Sequence, residues 1–223
     1  MSEGRIVILG AGNQASVVLD ILQADGLADR VEGLIETGDG PPRTGQLVDE
    51  VPIIGGRGDL EAIHSQGVHL AVLAVGTALA REQLFKQAIG LGFGLVSAIH
   101  PSAIISDRVK LGRGVTINPL AVIMTGAQIG DGVIINTAAT VDHHGRIDDF
   151  AHVAPGACLG GNVHVGARTW VGLGASVIQG VTIGRDSFIG AGAVVVGDLP
   201  ERVLAFGVPA RVVRPYDPAE GIP

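Results

Sequence analysis

A chain of 223 residues, 47% of them hydrophobic, can bury a substantial core in one large domain or two modest ones. Its net charge of −7 argues against broad nucleic-acid binding, and no apolar run is long enough to span a membrane. Charged residues are only 17%, aromatics 3% and glycines 35 in number, a bias that suits tight, repeated corners around a narrow interior.

The opening MSEGRIVILGAG has no charged region ahead of its apolar stretch and is not read as a signal peptide. The single Cys158 excludes an internal disulfide framework and fits a reducing cytoplasm. RIVILG (5–10) reads as a buried strand, and QASVVLDILQAD (14–25) has the apolar spacing of a helix against a sheet. VEGLIE (31–36) is a second strand, and TGDGPPRTGQ (37–46) is a Gly/Pro-rich loop. HLAVLAVG (69–76) reads as a strand, ALAREQLFKQAIGLG (78–92) as a helix and GLVSAIH (94–100) as a further strand. This alternation predicts a small parallel α/β sheet over residues 1–100.

From residue 103 the period becomes six. Every sixth residue from Ile105 to Val195 is Ile, Leu or Val without a miss, and two places before each stands a small or slim residue. A six-residue unit of this kind is one short strand plus a corner, and three units close a triangular coil. The aliphatic residue should point inward. The small residue should let the chain turn, with Gly supplying φ > 0 at the corner. Residues 101–200 are therefore read as a parallel β-helix, and 201–223 as a closing segment and tail.

The hexads resemble those of the hexapeptide-repeat acyltransferases, and AFGVPARVV (205–213) resembles their closing segment. GAGNQASVVLD (10–20), GLIE (33–36), VLAVG (72–76) and AIHPSA (98–103) resemble one branch of that group. The branch holds the sialic acid O-acetyltransferases and the bacterial N-acetyltransferases of nucleotide-linked 4-amino-4,6-dideoxy sugars. The resemblance implies a small Rossmann-like nucleotide-sugar domain followed by a left-handed β-helix. It also implies a homotrimer with sites between neighbouring prisms, acetyl-CoA as co-substrate and no metal. The acceptor it implies is GDP-perosamine or another nucleotide-linked amino sugar, with GDP, UDP and dTDP left open and GDP favoured by the pairs Asn13–Gln14 and Glu36–Thr37.

Gly10-Ala11-Gly12-Asn13-Gln14-Ala15 fits the Gly-rich turn that brings backbone N–H groups to a diphosphate at a helix N-terminus. Glu36 ends the next strand, where a ribose-binding acid would stand. By resemblance, Gly12, Asn13, Gln14, Glu36, Thr37 and Gly76 face the nucleotide sugar. The family usually has Gly-His where Asn13-Gln14 stand. In the second half, VDHHG (141–145) is where the apolar repeat turns polar. By resemblance His143 is the catalytic base, a task suited to imidazole near neutral pH. The family's acid after this histidine is replaced by His144, and Asp142 is the remaining candidate to orient His143. His152, Leu173, Ala191, Gly207 and Arg211 are implied to line the CoA groove, with Pro209 in its closing turn. Asn118 and Asn136 are read either as turn-tolerant replacements for Gly at corners or as contacts to sugar hydroxyls. Direct transfer is favoured over an acyl-Cys158 intermediate. Three alternatives remain: sugar O-acetylation, a zinc lyase of the γ-carbonic-anhydrase type using His143, His144, His152 and His164, and a non-catalytic sugar-binding scaffold.

Overall fold

The structure, a computed structural model, describes residues 4–38 and 40–221. The first residues of the opening segment, position 39 of the predicted loop and the last two residues of the tail lie outside the described residues. The chain divides into two compact units, Met1–Pro101 and Ser102–Pro223.

The first unit is a six-stranded sheet with helices. In chain order it holds β1 (Ile6–Leu9), α1 (Asn13–Ala24), β2 (Val31–Glu36), β3 (Leu47–Val48), β4 (Val51–Gly56), α2 (Leu60–Ser65), β5 (Leu70–Leu73), α3 (Ala78–Gly90) and β6 (Gly94–Leu95). The strand order is β3-β4-β2-β1-β5-β6, parallel except for β3. All four residues of β1 are fully buried, as expected of a central strand covered on both faces. The order reverses between β1 and β5, so the loops after these two strands flank the crevice where such sheets bind ligands.

The sequence reading left 47–68 unassigned, and the structure fills that stretch with β3, β4 and α2. The β3–β4 turn has Asp49 and Glu50 both at positive φ (46° and 68°), a mirror-image turn made without its usual Asn or Gly. That substitution hid the hairpin. The predicted strand 69–76 ends at Leu73, and the predicted strand 94–100 keeps only Gly94–Leu95 within this sheet.

The second unit is a three-faced parallel β-helix. Two-residue strands recur every six residues from Ile104–Ile105 to Val194–Val195, and strands eighteen residues apart pair in register. The first face carries Thr116–Ile117, Ile134–Ile135, His152–Val153, Trp170–Val171 and Phe188–Ile189 and continues into Val203–Gly207. The second includes Thr140–Val141 and Cys158–Leu159, and the third Arg146–Ile147 and His164–Val165. The aliphatic series points inward and is buried from Ile117 to Val195; Leu111, in the first coil, is 37% exposed.

One expectation about the corners is corrected. The small residues at Ala121, Ala127, Ala139 and their equivalents are buried and form a second interior column. The positive φ falls three places after the inward aliphatic instead, at Gly114, Leu120, Gly126, Gly132, Ala138, His144, Phe150 and onward to Gly192. The small residue is therefore required by the width of the prism, and a different position reverses the chain. Asn118 and Asn136 are not among the positive-φ residues, so they are not left-handed corner substitutes.

The closing segment is a hairpin. Val203–Gly207 pairs antiparallel with Ala210–Pro215 around a cis Val208–Pro209 bond. Tyr216 then packs on Phe188, and its hydroxyl donates to the Gly221 carbonyl.

Candidate functional site

The Gly-rich turn follows from the way β1 enters the sheet. Gly10 has φ 139°, and a Cβ there would collide with the Ala74 carbonyl, so only glycine lets β1 and β5 run side by side at this point. Gly12 caps α1 in extended conformation, which leaves the first N–H groups of a twelve-residue helix facing outward. Gln14, in the first turn of α1, holds its amide nitrogen buried without a hydrogen-bond partner. On the far side of the crevice, Arg81 is fully buried in α3 and donates to the carbonyls of Val75 and Gly76. Burial pushes its guanidinium down to about 9, so it remains charged at neutral pH and fixes the loop after β5.

Glu36 ends β2 as predicted, but its carboxylate is engaged. Arg43 Nε donates to it at 2.6 Å, and Arg43 Nη2 donates to the Ala11 carbonyl at 3.1 Å. The hydrogen bond to Glu36 and its charge raise the Arg43 guanidinium. Arg43 thus ties the loop after β2 to the Gly-rich turn and sets a positive charge beside it. The sequence reading missed it because it sits in a Gly/Pro-rich loop with no pattern to mark it.

In the β-helix, His143 and His144 leave the corner after Val141, and both are exposed. Asp142 does not orient the His143 ring. Its Oδ1 accepts the backbone N–H of His143 at 2.6 Å, so it shapes the corner. The ring's partner is the other histidine: the two Nδ1 atoms lie 3.3 Å apart. The His143 ring lies over Gly161, one coil on, and the His144 ring over Gly126, one coil back.

His152 lies on the first face, buried to 4% exposure. Its ring stands 4.0 Å from that of Trp170, which stacks in turn on Phe188 at 5.9 Å. Its Nε2 is 3.0 Å from Asn136 Nδ2, and Asn118 Nδ2 donates to Asn136 Oδ1. Beyond Trp170 runs an apolar groove of about 630 Å³, lined by Trp170, Leu173, Phe188, Ala191, Phe206 and Gly207 among others. Of the residues expected along the CoA groove, Leu173, Ala191 and Gly207 line this apolar groove, whereas His152 and Arg211 are not part of its lining. Trp170, Phe188 and Phe206 were missed. Spaced eighteen apart on outward strand positions, Trp170 and Phe188 could have been found by reading the first residue of each strand as well as the second. Arg211 pairs with Phe206 across the closing hairpin, and its Nη1 donates to the Ala210 carbonyl.

The second unit does not gather all its candidates. His143 stands at the corner between the second and third faces, whereas Asn136, His152 and the groove belong to the first face and the corner that follows it. The first face is the side opposite the His143 corner. Of the remaining histidines in this unit, His164 is bound to Asp148 at 2.8 Å.

Residues 5–88 match the PglD N-terminal domain family. Over 96% of its length the chain is similar, at 42% identity and a TM-score of 0.89, to PerB from Caulobacter crescentus, a structure in complex with CoA and GDP-perosamine of which 99% is covered. It is similar at 35% identity and a TM-score of 0.86 to the acetyltransferase domain of PglB from Neisseria gonorrhoeae, solved with acetyl coenzyme A, over 95% of this chain and all of that one. It is also similar to WeeI from Acinetobacter baumannii, at 25% identity and a TM-score of 0.82, over 94% of this chain and 99% of that one. None of the curated proteins matches the chain.

Proposed function

Because this chain belongs to the hexapeptide-repeat N-acetyltransferases that join a PglD-type domain to a left-handed β-helix, and is an acetyl-CoA-dependent enzyme acting on sugars, we propose that it acetylates the 4-amino group of a nucleotide-linked 4-amino-4,6-dideoxy sugar, GDP-perosamine first among the candidates. The observation that carries this reading is the 42% identity, across nearly the whole of both chains, to an N-acetyltransferase whose structure holds CoA and GDP-perosamine.

In this reading the crevice between β1 and β5 takes the nucleotide diphosphate. The N–H groups at Gly12, Asn13 and Gln14 and the cation of Arg43 meet its charge, and Glu36, Thr37 and Gly76 border it. The apolar groove along Leu173, Ala191 and Gly207 takes the pantetheine arm, because its aliphatic carbons match aromatic and small apolar walls. His143 accepts a proton from the sugar amine as nitrogen bonds to the thioester carbon. The carbon–sulfur bond then breaks, and His143 returns the proton to the departing thiolate. With His143 Nδ1 facing His144, Nε2 is the nitrogen left for this work. Backbone N–H groups near the thioester offset the oxyanion charge.

The opposite placement of His143 and the groove supports a site shared between copies, and the homotrimer implied by the resemblance would supply it. A site using both must take His143 from one copy and the groove from its neighbour. The reading is tested by incubating the protein with acetyl-CoA and GDP-, UDP- and dTDP-linked 4-amino sugars while following free thiol. Thiol release is expected, fastest with GDP-perosamine. Release with none of the amines would overturn the reading, and release with only a UDP or dTDP sugar would overturn the choice of nucleotide.

A further inference from the structure

We infer that His64 and His69 form a two-imidazole site for a divalent transition-metal ion, zinc first among them, which staples α2 to the start of β5. The nitrogens concerned are His64 Nε2 and His69 Nδ1, 3.1 Å apart. Zinc binds imidazole nitrogen at about 2.0–2.1 Å, so nitrogens at this separation subtend roughly 100° at a shared ion, close to the tetrahedral angle. Copper and nickel suit the same ligands.

The direction of the rings separates this pair from an ordinary hydrogen-bonded one. Nitrogens that meet head-on hold their rings as far apart as the contact allows. His143 and His144 come near that limit, with Nδ1 atoms 3.3 Å apart and ring centroids 5.5 Å apart. In His64 and His69 the nitrogens are almost as far apart, yet the centroids are only 4.4 Å apart. At least one nitrogen lone pair is therefore tilted well off the line between the two atoms. That tilt bends and weakens a direct N–H···N bond. An ion standing to one side of the line requires it.

Both rings are held in place without the ion. His64 sits in the last turn of α2, its ring edge-on to Phe93 at 4.9 Å. The chain then turns through Gly67 at φ 90°, whose N–H donates to the His64 carbonyl at 3.0 Å, and Val68 is buried. The His69 carbonyl accepts the Gly94 N–H at 2.8 Å, which ties it to β6. The ligands are thus preorganised by backbone and packing. His69 is exposed, so an ion reaches them from solvent. Among the described residues no three His, Cys, Asp or Glu side chains gather for a metal, so water completes the coordination. The pair lies where the chain enters β5, at the opposite end of that strand from the nucleotide crevice, and it does not depend on the proposed acetyl transfer.

The test uses tag-free protein stripped with a chelator and titrated with zinc chloride against a chromogenic zinc indicator. The wild type should bind zinc at this site, and His64→Gln and His69→Gln should each lower the affinity roughly tenfold or more. His144→Gln should leave it unchanged. Saturating zinc should raise the melting temperature of the wild type by about 3 °C or more, because the ion binds the folded chain, and should raise that of neither variant. No zinc binding, equal affinity in the wild type and both variants, or affinity lost with His144→Gln overturns the site. Binding through His64 and His69 without a rise in melting temperature overturns the staple. Should His64→Gln fail to fold, His69→Gln, which removes the exposed ring, decides the site.

Discussion

The imidazole of His143 rests on the bare backbone of Gly161, one coil further along: a Cβ at Gly161 would collide with both Cε1 and Nε2 of the ring. Nothing in the repeat itself demands glycine there, because the positive φ of that corner belongs to Asn162. Gly161→Ala should therefore leave the prism folded and displace the proposed base. A displacement of about 1 Å can cost on the order of a hundredfold in rate. The expected result is a fall in kcat between roughly tenfold and a hundredfold, with an unchanged melting temperature and unchanged KM for acetyl-CoA. In a His143→Asn background the same change should have no further effect, a double-mutant comparison that isolates the contact.

His143→Asn by itself should lower kcat by roughly a hundredfold or more, the range for a positioned general base, while both KM values stay within about twofold of wild type. Turnover near that of the wild type would remove the base role and leave the fold and the groove untouched.

Ala191→Phe should fill the groove beside Leu173 and Phe206. KM for acetyl-CoA is expected to rise tenfold or more, about 1.4 kcal/mol of lost binding, with KM for the nucleotide sugar unaffected. Because His143 and Ala191 lie on opposite sides of one prism, mixed oligomers of His143→Asn and Ala191→Phe chains should show, at acetyl-CoA concentrations below its wild-type KM, more activity than the sum of the two variants measured separately. Absence of that excess after verified subunit exchange would argue that each chain works by itself.

Arg81→Met should test the anchoring of the loop after β5. The substitution keeps the apolar volume but leaves the Val75 and Gly76 carbonyls without this donor. KM for the nucleotide sugar should rise about tenfold, the loss of about 1.4 kcal/mol, with kcat preserved. A change confined to kcat would contradict this role.

Asp186 and Arg168 should dominate local stability in the second unit. Asp186 is 2% exposed and takes two hydrogen bonds from Arg168, at 2.6 and 2.9 Å, while holding φ at 57°. Asp186→Ala removes the carboxylate from a largely buried pair and puts a Cβ-only side chain in the left-handed region. A loss of ~3 kcal/mol is expected in denaturant unfolding. Asp186→Asn, which tolerates that φ, should lose less. Equal losses would show that charge pairing alone matters.

The sequence by itself determined the two architectures, because each is written as a period. Apolar runs separated by helices require a covered parallel sheet, and aliphatic residues every six places from Ile105 to Val195 require a three-faced coil whose interior admits one large and one slim residue per strand. It also marked the polar break at Asp142–His144, whereas Leu173, Ala191 and Gly207 were picked out only by the resemblance to the hexapeptide-repeat acyltransferases. What it could not carry is any relation between residues that are neighbours only through coiling or through loops. The His143 ring on Gly161 and Arg43 bridging Glu36 and Ala11 both depend on the placement of side chains without a periodic signature. Asp142 shows the same limit from the other side. Its place beside His143 suggested an orienting carboxylate, but the corner geometry turned that carboxylate onto the backbone, and only the tertiary structure gave the imidazole a second imidazole as partner.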